Sequence, residues 1–147
     1  MMTGGCLCGL VRYETNAEPV FAGHCYCRDC QRASGTGHVP FMVLPREAVK
    51  IDGETRTYRA LGDSQLPTTR HFCPICGSLV FGEPEAAAGM VSVYAGTLDD
   101  PSVFEPQATI YTRSRPAWDH VMGELTEYET MPPPRDPQLS SPVGGGE

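Results

Sequence analysis

Seven cysteines stand in the 147-residue chain, and their spacing is its clearest chemical signal. Cys6, Cys8, Cys25, Cys27, Cys30, Cys73 and Cys76 follow the pattern C-x-C, sixteen residues, C-x-C-x-x-C, forty-two residues, C-x-x-C. Pairs this close rarely form structural disulfides. They suit a metal that gathers several thiolates at bonds of about 2.3 Å, as zinc does. The expected compartment agrees. Met1–Gly5 lacks the basic start and apolar core of a signal peptide, so a reducing cytoplasm is expected.

Seven thiolates divide as four plus three. Four close a tetrahedral zinc sphere and are structural; three leave one position open. Counting alone does not decide membership. Cys25, Cys27 and Cys30 lie within six residues and can reach one ion unaided, which leaves Cys6, Cys8, Cys73 and Cys76 to meet across the fold. That division strands no pair and is preferred, giving two zinc ions.

A zinc held by three thiolates is anionic and a poor generator of hydroxide. Its open position suits a soft ligand, a substrate thiol, whose pKa the ion lowers. Cys25, Cys27 and Cys30 are therefore the catalytic candidates. Arg28 and Arg32 flank them and can offset the charge or bind a carboxylate bidentately. His24 also lies beside them and can offset the charge. The competing reading is a non-catalytic, zinc-stabilised thiol-binding or structural module, with a side chain or water in the fourth place.

Composition narrows the partners. Eleven Lys and Arg against eighteen Asp and Glu give a net charge of −7, which argues against a nucleic-acid partner. No run of about 18 apolar residues exists, so no membrane-spanning helix is expected. The length fits one domain, read as residues 1–131, followed by a Pro/Ser/Gly-rich tail at 132–147 expected to be disordered. The partner read from the chemistry is a small-molecule thiol; nothing in the pattern signals an oligomeric state.

The elements that must hold the cysteines read mainly as strands. Residues 6–14 have strand character, 20–23 lead into the cysteine run, and 31–34 suit one helical turn stopped by Gly35. Residues 38–44 read as an edge or bulged strand because of Pro40. Residues 49–54 and 55–61 read as a hairpin turned at Asp52-Gly53. Arg70–Phe81 is a zinc-knuckle pattern between two strands, with Gly77 supplying a positive φ. Further strands are expected at 90–95 and 109–112, and a short helix at 117–123. Trp118 reads as a packing anchor, His71 as a neighbour of the metal or a surface residue, and His120 as a surface residue. Asp99 and Asp100 read as turn caps. Gly35-Thr36-Gly37 reads equally as a pocket wall or a turn.

Gly5-Cys6-Leu7-Cys8-Gly9, Cys25-Tyr26-Cys27-Arg28-Asp29-Cys30-Gln31-Arg32-Ala33-Ser34-Gly35, Phe72-Cys73-Pro74-Ile75-Cys76-Gly77 and Gly96-Thr97-Leu98-Asp99-Asp100-Pro101 occur in this order. Together they resemble the glutathione-dependent formaldehyde-activating enzyme family, whose eukaryotic relatives include centromere protein V. The resemblance runs over about residues 4 to 130. It implies a zinc-binding β-tent fold of stacked antiparallel sheets. It also implies structural zinc ligation by Cys6, Cys8, Cys73 and Cys76, and catalytic ligation by Cys25, Cys27 and Cys30. The implied reaction joins glutathione to formaldehyde, formally a carbon–sulfur lyase reaction in reverse. Two positions depart from the family pattern: Tyr26 stands where a His is frequent, and Thr109 precedes Ile110-Tyr111 where a His often does.

Overall fold

The computed structural model describes residues 1–62 and 65–133. Its described residues form eleven strands in two sheets and one short α-helix. Most of the expected tail, residues 134–147, lies outside the described residues.

The smaller sheet has the order β1-β2-β5, built from β1 (Met2–Gly5), β2 (Arg12–Thr15) and β5 (Val49–Asp52). The larger sheet is assembled from β3 (Phe21–Cys25), β4 (Val39–Pro45), β6 (Arg56–Leu61), β7 (Pro67–Phe72), β8 (Leu79–Pro84), β9 (Met90–Tyr94), β10 (Ala108–Ile110) and β11 (Thr126–Glu127). Its order is β11-β10-β3-β4-β9-β8-β7-β6, antiparallel except for the parallel contacts of β10 with β3 and β11. The expected mainly β, stacked-sheet β-tent fold is observed.

Strand alternation sends side chains to two different cores. Ala22, Met42, Leu44, Val91 and Val93 of the large sheet pack with Val11, Tyr13 and Val49 of the small one. Cys25, Val39, Phe41, Tyr94 and Ile110 form a second buried group. In the β3–β4 ladder Ala22 is opposite Met42 and Cys25 is opposite Val39, so the first pair faces one side of the sheet and the second the other.

Five local expectations are corrected. Residues 6–11 are not strand but the loop between β1 and β2, closed by Cys6 N–H donating to Val11 O at 3.0 Å. Strand β4 is interior, between β3 and β9. Pro40 is tolerated because the β9 ladder begins only at Phe41, one residue further on. The segments at 49–61 do not pair with each other: β5 joins β2, where Val49 is buried, and β6 joins β7 at the sheet edge. Gly53, at φ 97°, turns the chain from one sheet to the other, with Leu10 O 2.2 Å from where a Cβ would sit. Residues 117–123 are a turn and irregular chain rather than a helix: Asp119 N–H donates to Pro116 O at 3.1 Å, and the Asp119 carboxylate is held by His38 Nδ1 at 2.8 Å. Trp118 is not a packing anchor there; it is 75% exposed.

Candidate metal centres

The four-cysteine group forms where two loops meet. The β1–β2 loop brings Cys6 and Cys8, and the β7–β8 knuckle brings Cys73 and Cys76. All four sulfurs lie within 4.8 Å of one another. Cys8 Sγ is 3.6 Å from Cys6 Sγ and 3.6 Å from Cys73 Sγ. Tetrahedral zinc with 2.3 Å bonds places its sulfurs about 3.8 Å apart, close to these two separations, so the donor set suits zinc.

Backbone amides prepare these sulfurs for negative charge. Val11 N–H donates to Cys6 Sγ at 3.2 Å, while Ile75 and Cys76 N–H turn toward Cys73 Sγ at 3.4 and 3.5 Å. Gly77, at φ 78°, makes that turn possible, as its spacing predicts. Hydrogen bonds from Ser78 hold the Cys76 thiol down to about 5. Ser78 Oγ also accepts from Leu7 N–H at 3.0 Å, so one hydroxyl joins the two loops. His71 is no ligand: its Nδ1 meets Thr55 Oγ1 at 2.8 Å and its ring stacks on Phe81.

The three-cysteine group is more local. Cys25 ends β3, and Cys27 and Cys30 sit at the start of α1 (Arg28–Ser34). Cys27 is the N-cap, its Sγ accepting from Cys30 N–H at 3.3 Å, and Gly35 closes the helix at φ 74°. The three sulfurs lie within 4.8 Å of one another. Hydrogen bonds from the Cys25 and Cys30 thiols hold Cys27 down to about 3, and Arg70 adds to this. The same sharing, with burial, pushes Cys25 up. Three soft donors fit a thiophilic ion such as zinc and leave a fourth tetrahedral position.

The surroundings differ from what the flanking residues suggest. Arg28 is exposed and bonds Gln31 Oε1; Arg32 is exposed on the last helical turn. The cation that reaches the sulfurs is Arg70 of β7, with Nη2 4.0 Å from Cys30 Sγ. Gln31, 6% exposed, fixes the helix by donating to Tyr26 O at 2.7 Å and Ser114 O at 3.0 Å. Tyr94, Phe41 and Leu79 belong to the apolar cluster that also holds Cys25, Cys27 and Cys30.

His24 precedes Cys25 on β3 and therefore faces the other side of the sheet. Its ring meets His38 at 4.8 Å and Phe104 at 5.4 Å, and burial with the neighbouring His38 pushes it down to about 4. Tyr26 is fully buried, with Arg115 stacked 5.0 Å above its ring. Asp100 is the expected turn cap, accepting from Ser102 N–H at 3.1 Å, whereas Asp99 caps no turn: its carboxylate is taken by Arg12 and Thr3 of the small sheet. Gly35-Thr36-Gly37 is a turn, with Thr36 Oγ1 donating to His38 O at 2.6 Å. His120 is exposed, as expected.

The sequence model of the family described as glutathione-dependent formaldehyde-activating enzyme matches residues 1–114. None of the curated proteins matches the chain. A crystal structure of a Rhodobacter sphaeroides protein superposes with a TM-score of 0.55 at 19% identity, covering 71% of this chain and 97% of that one. At that identity the likeness concerns the fold. No helix among the described residues is long and apolar enough to cross a membrane.

Proposed function

The chain belongs to the glutathione-dependent formaldehyde-activating enzyme family, and from that premise we propose that it joins a glutathione-like thiol to a small aldehyde such as formaldehyde. The reaction is an addition. A bond forms between the thiol sulfur and the carbonyl carbon, the C=O π bond opens, and the proton lost by sulfur ends on oxygen. Run backwards, it is a carbon–sulfur lyase reaction.

One observation carries this reading. The cysteines gather into a set of four and a separate set of three. On this reading Cys6, Cys8, Cys73 and Cys76 hold a structural zinc, while Cys25, Cys27 and Cys30 hold the catalytic one. When bound there, zinc lowers the pKa of a coordinated thiol and keeps it as thiolate.

The chain's own residues do the rest. Gln31 fixes α1 against Tyr26 O and Ser114 O, and so sets the spacing of Cys27 and Cys30. Arg70 offsets the negative charge gathered at the sulfurs. Tyr94, Phe41 and Leu79 pack in one apolar cluster with the three cysteines. Arg28 and Arg32, exposed on α1, are the proposed contacts for a carboxylate of the thiol. Orientation supplies most of the acceleration, since thiols and aldehydes already combine in water. The working compartment on this reading is the reducing cytoplasm.

Magnetisation-exchange NMR tests it. Zinc-loaded protein should speed exchange between free formaldehyde and its glutathione adduct, and Cys27→Ala should abolish the effect. Exchange at the uncatalysed rate would defeat the enzymatic reading. Glutathione binding without acceleration would favour the thiol-binding module.

A further inference from the structure

Tyr94 and Arg70 approach the three-cysteine group from two strands of one sheet face. Phe41 is opposite Tyr94, Ser92 opposite Gly82, and Gly82 opposite Arg70, so a single face runs across β4, β9, β8 and β7. Cys25 shares that face, and Tyr94 packs in one cluster with Cys25, Cys27 and Cys30. Gly82 stands on β8, between the strands that carry Tyr94 and Arg70. A Cβ there would lie 2.7 Å from Tyr94 Oη and 3.6 Å from Tyr94 Cζ. The hydroxyl therefore fills the space a side chain at position 82 would take, directed from β9 across β8 toward β7. A glycine inside a strand often marks such a close approach.

Both groups keep unused donors. Among the described residues Tyr94 Oη makes no hydrogen bond, and Arg70 makes one, from Nη2 to Cys30 Sγ at 4.0 Å. Neither is among the polar atoms that are both unpartnered and sealed from solvent; those belong to His24, His71, Thr109 and Arg115. A ligand can therefore reach them. Burial pushes the Tyr94 phenol up, the charge of Cys30 adds to the rise and Arg70 opposes it, which places the hydroxyl within electrostatic reach of both.

Two donors converging beside a set of sulfurs ask for an oxygen acceptor close to sulfur. The addition proposed above makes one. As the sulfur–carbon bond forms, the C=O π pair moves onto an oxygen two bonds from the attacking sulfur. That charge is absent from the free aldehyde, so donors aimed at it favour the transition state over the ground state.

We infer that Tyr94 Oη and Arg70 form a two-donor corner that binds an oxyanion next to a sulfur held at the three-cysteine site, and that during the addition this oxyanion is the alkoxide of the adduct. Tyr94 O–H and an Arg70 N–H donate to the alkoxide oxygen until water protonates it. The proton lost by the thiol goes to solvent, so the reaction gains and loses one proton. Gly82 is a positioning residue, because its missing side chain seats the hydroxyl. The catalytic half of this inference rests on the aldehyde reading; the binding half does not.

Two measurements on the zinc-loaded full chain test the two halves. Calorimetry compares thioglycolate, with a carboxylate on the carbon next to sulfur, with ethanethiol, which has none. Thioglycolate should bind at least about tenfold tighter. Tyr94→Phe should remove most of that preference and leave ethanethiol binding unchanged. Gly82→Ala, which displaces the hydroxyl, should act as Tyr94→Phe does. In magnetisation exchange, Tyr94→Phe should lower the enzyme-dependent rate roughly 10²-fold while glutathione affinity stays within about twofold. Both variants should keep the wild-type zinc content, which separates a lost donor from a lost fold. An unchanged thioglycolate preference in Tyr94→Phe would overturn the proposal, and so would an undiminished exchange rate in that variant. Loss of the preference in a protein that never accelerates exchange would support the corner as an anion site and overturn the aldehyde reading instead.

Discussion

Arg70 Nη2 lies 4.0 Å from Cys30 Sγ, so a partly buried guanidinium on β7 faces sulfurs carried by β3 and α1. Three thiolates around a divalent ion leave a net negative charge, and a fourth thiolate adds another. A fixed cation at this distance reduces that repulsion. Arg70→Met should therefore weaken metal affinity at the three-cysteine site by about tenfold, or ~1.4 kcal/mol, leaving the four-cysteine site unchanged. Arg70→Lys should retain most of it. Chelator competition with cobalt-substituted protein, read by the thiolate–cobalt bands, checks both. Equal affinities in wild type and Arg70→Met would refute the role.

The two cysteine sets should respond differently to loss of one member. Cys73 joins a knuckle to a loop sixty-five residues from Cys8, and its sulfur is 3.6 Å from Cys8 Sγ. Structural zinc in small peptides is worth ~10–16 kcal/mol, against a net domain stability of ~5–15 kcal/mol. Cys73→Ala should fail to give a cooperative thermal transition. Cys27→Ala should melt cooperatively and carry one zinc per chain instead of two. Elemental analysis with circular dichroism distinguishes the outcomes.

The three-cysteine set was legible in the sequence because its spacing is a local property: C-x-C-x-x-C brings three thiolates together whatever the rest of the fold does. The four-cysteine set was read only as the two pairs left over, which the fold brings together across sixty-five residues. Long-range pairing was not legible. Val49–Asp52 and Arg56–Leu61 flank an Asp-Gly turn and so look like a hairpin, yet the inter-sheet core draws Val49 to Tyr13 and β6 goes to β7. Arg70 was missed for the same reason. It is forty residues from Cys30, and the order of the large sheet, not any local motif, carries it there. At 117–123, where the pattern suggests a helix, the chain is a turn and irregular, and the Asp119 carboxylate is held by a histidine from another segment.

Gln31 holds the start of α1 through two carbonyls that have no local partner, Tyr26 O and Ser114 O. Gln31→Leu keeps the apolar volume and strands both acceptors. Each stranded carbonyl costs roughly 1–3 kcal/mol, so denaturant midpoints should fall accordingly. Metal affinity at Cys25, Cys27 and Cys30 should fall too, because the helix that spaces two of them loosens. An unchanged midpoint would show that water replaces the amide.

Tyr13 should make the fold sensitive to alkali. Its ring is 3% exposed beneath the small sheet, and its hydroxyl meets Thr97 Oγ1 at 2.8 Å. Burial pushes the phenol up to about 12, from an ordinary value of 10.0. A folded-state pKa above the unfolded one contributes stability that is fully present below pH 10 and is lost as pH rises toward 12. Between those values the unfolded chain releases a proton that the folded chain keeps, which favours unfolding by up to about 1.4 kcal/mol per pH unit. Tyr94 is pushed up in the same direction and adds to the slope. Urea unfolding at pH 9, 10 and 11 should show this loss, and Tyr13→Phe should flatten it while lowering stability at pH 8 by about 1 kcal/mol for the missing Thr97 bond. An identical slope in wild type and Tyr13→Phe would assign the alkaline sensitivity to other groups.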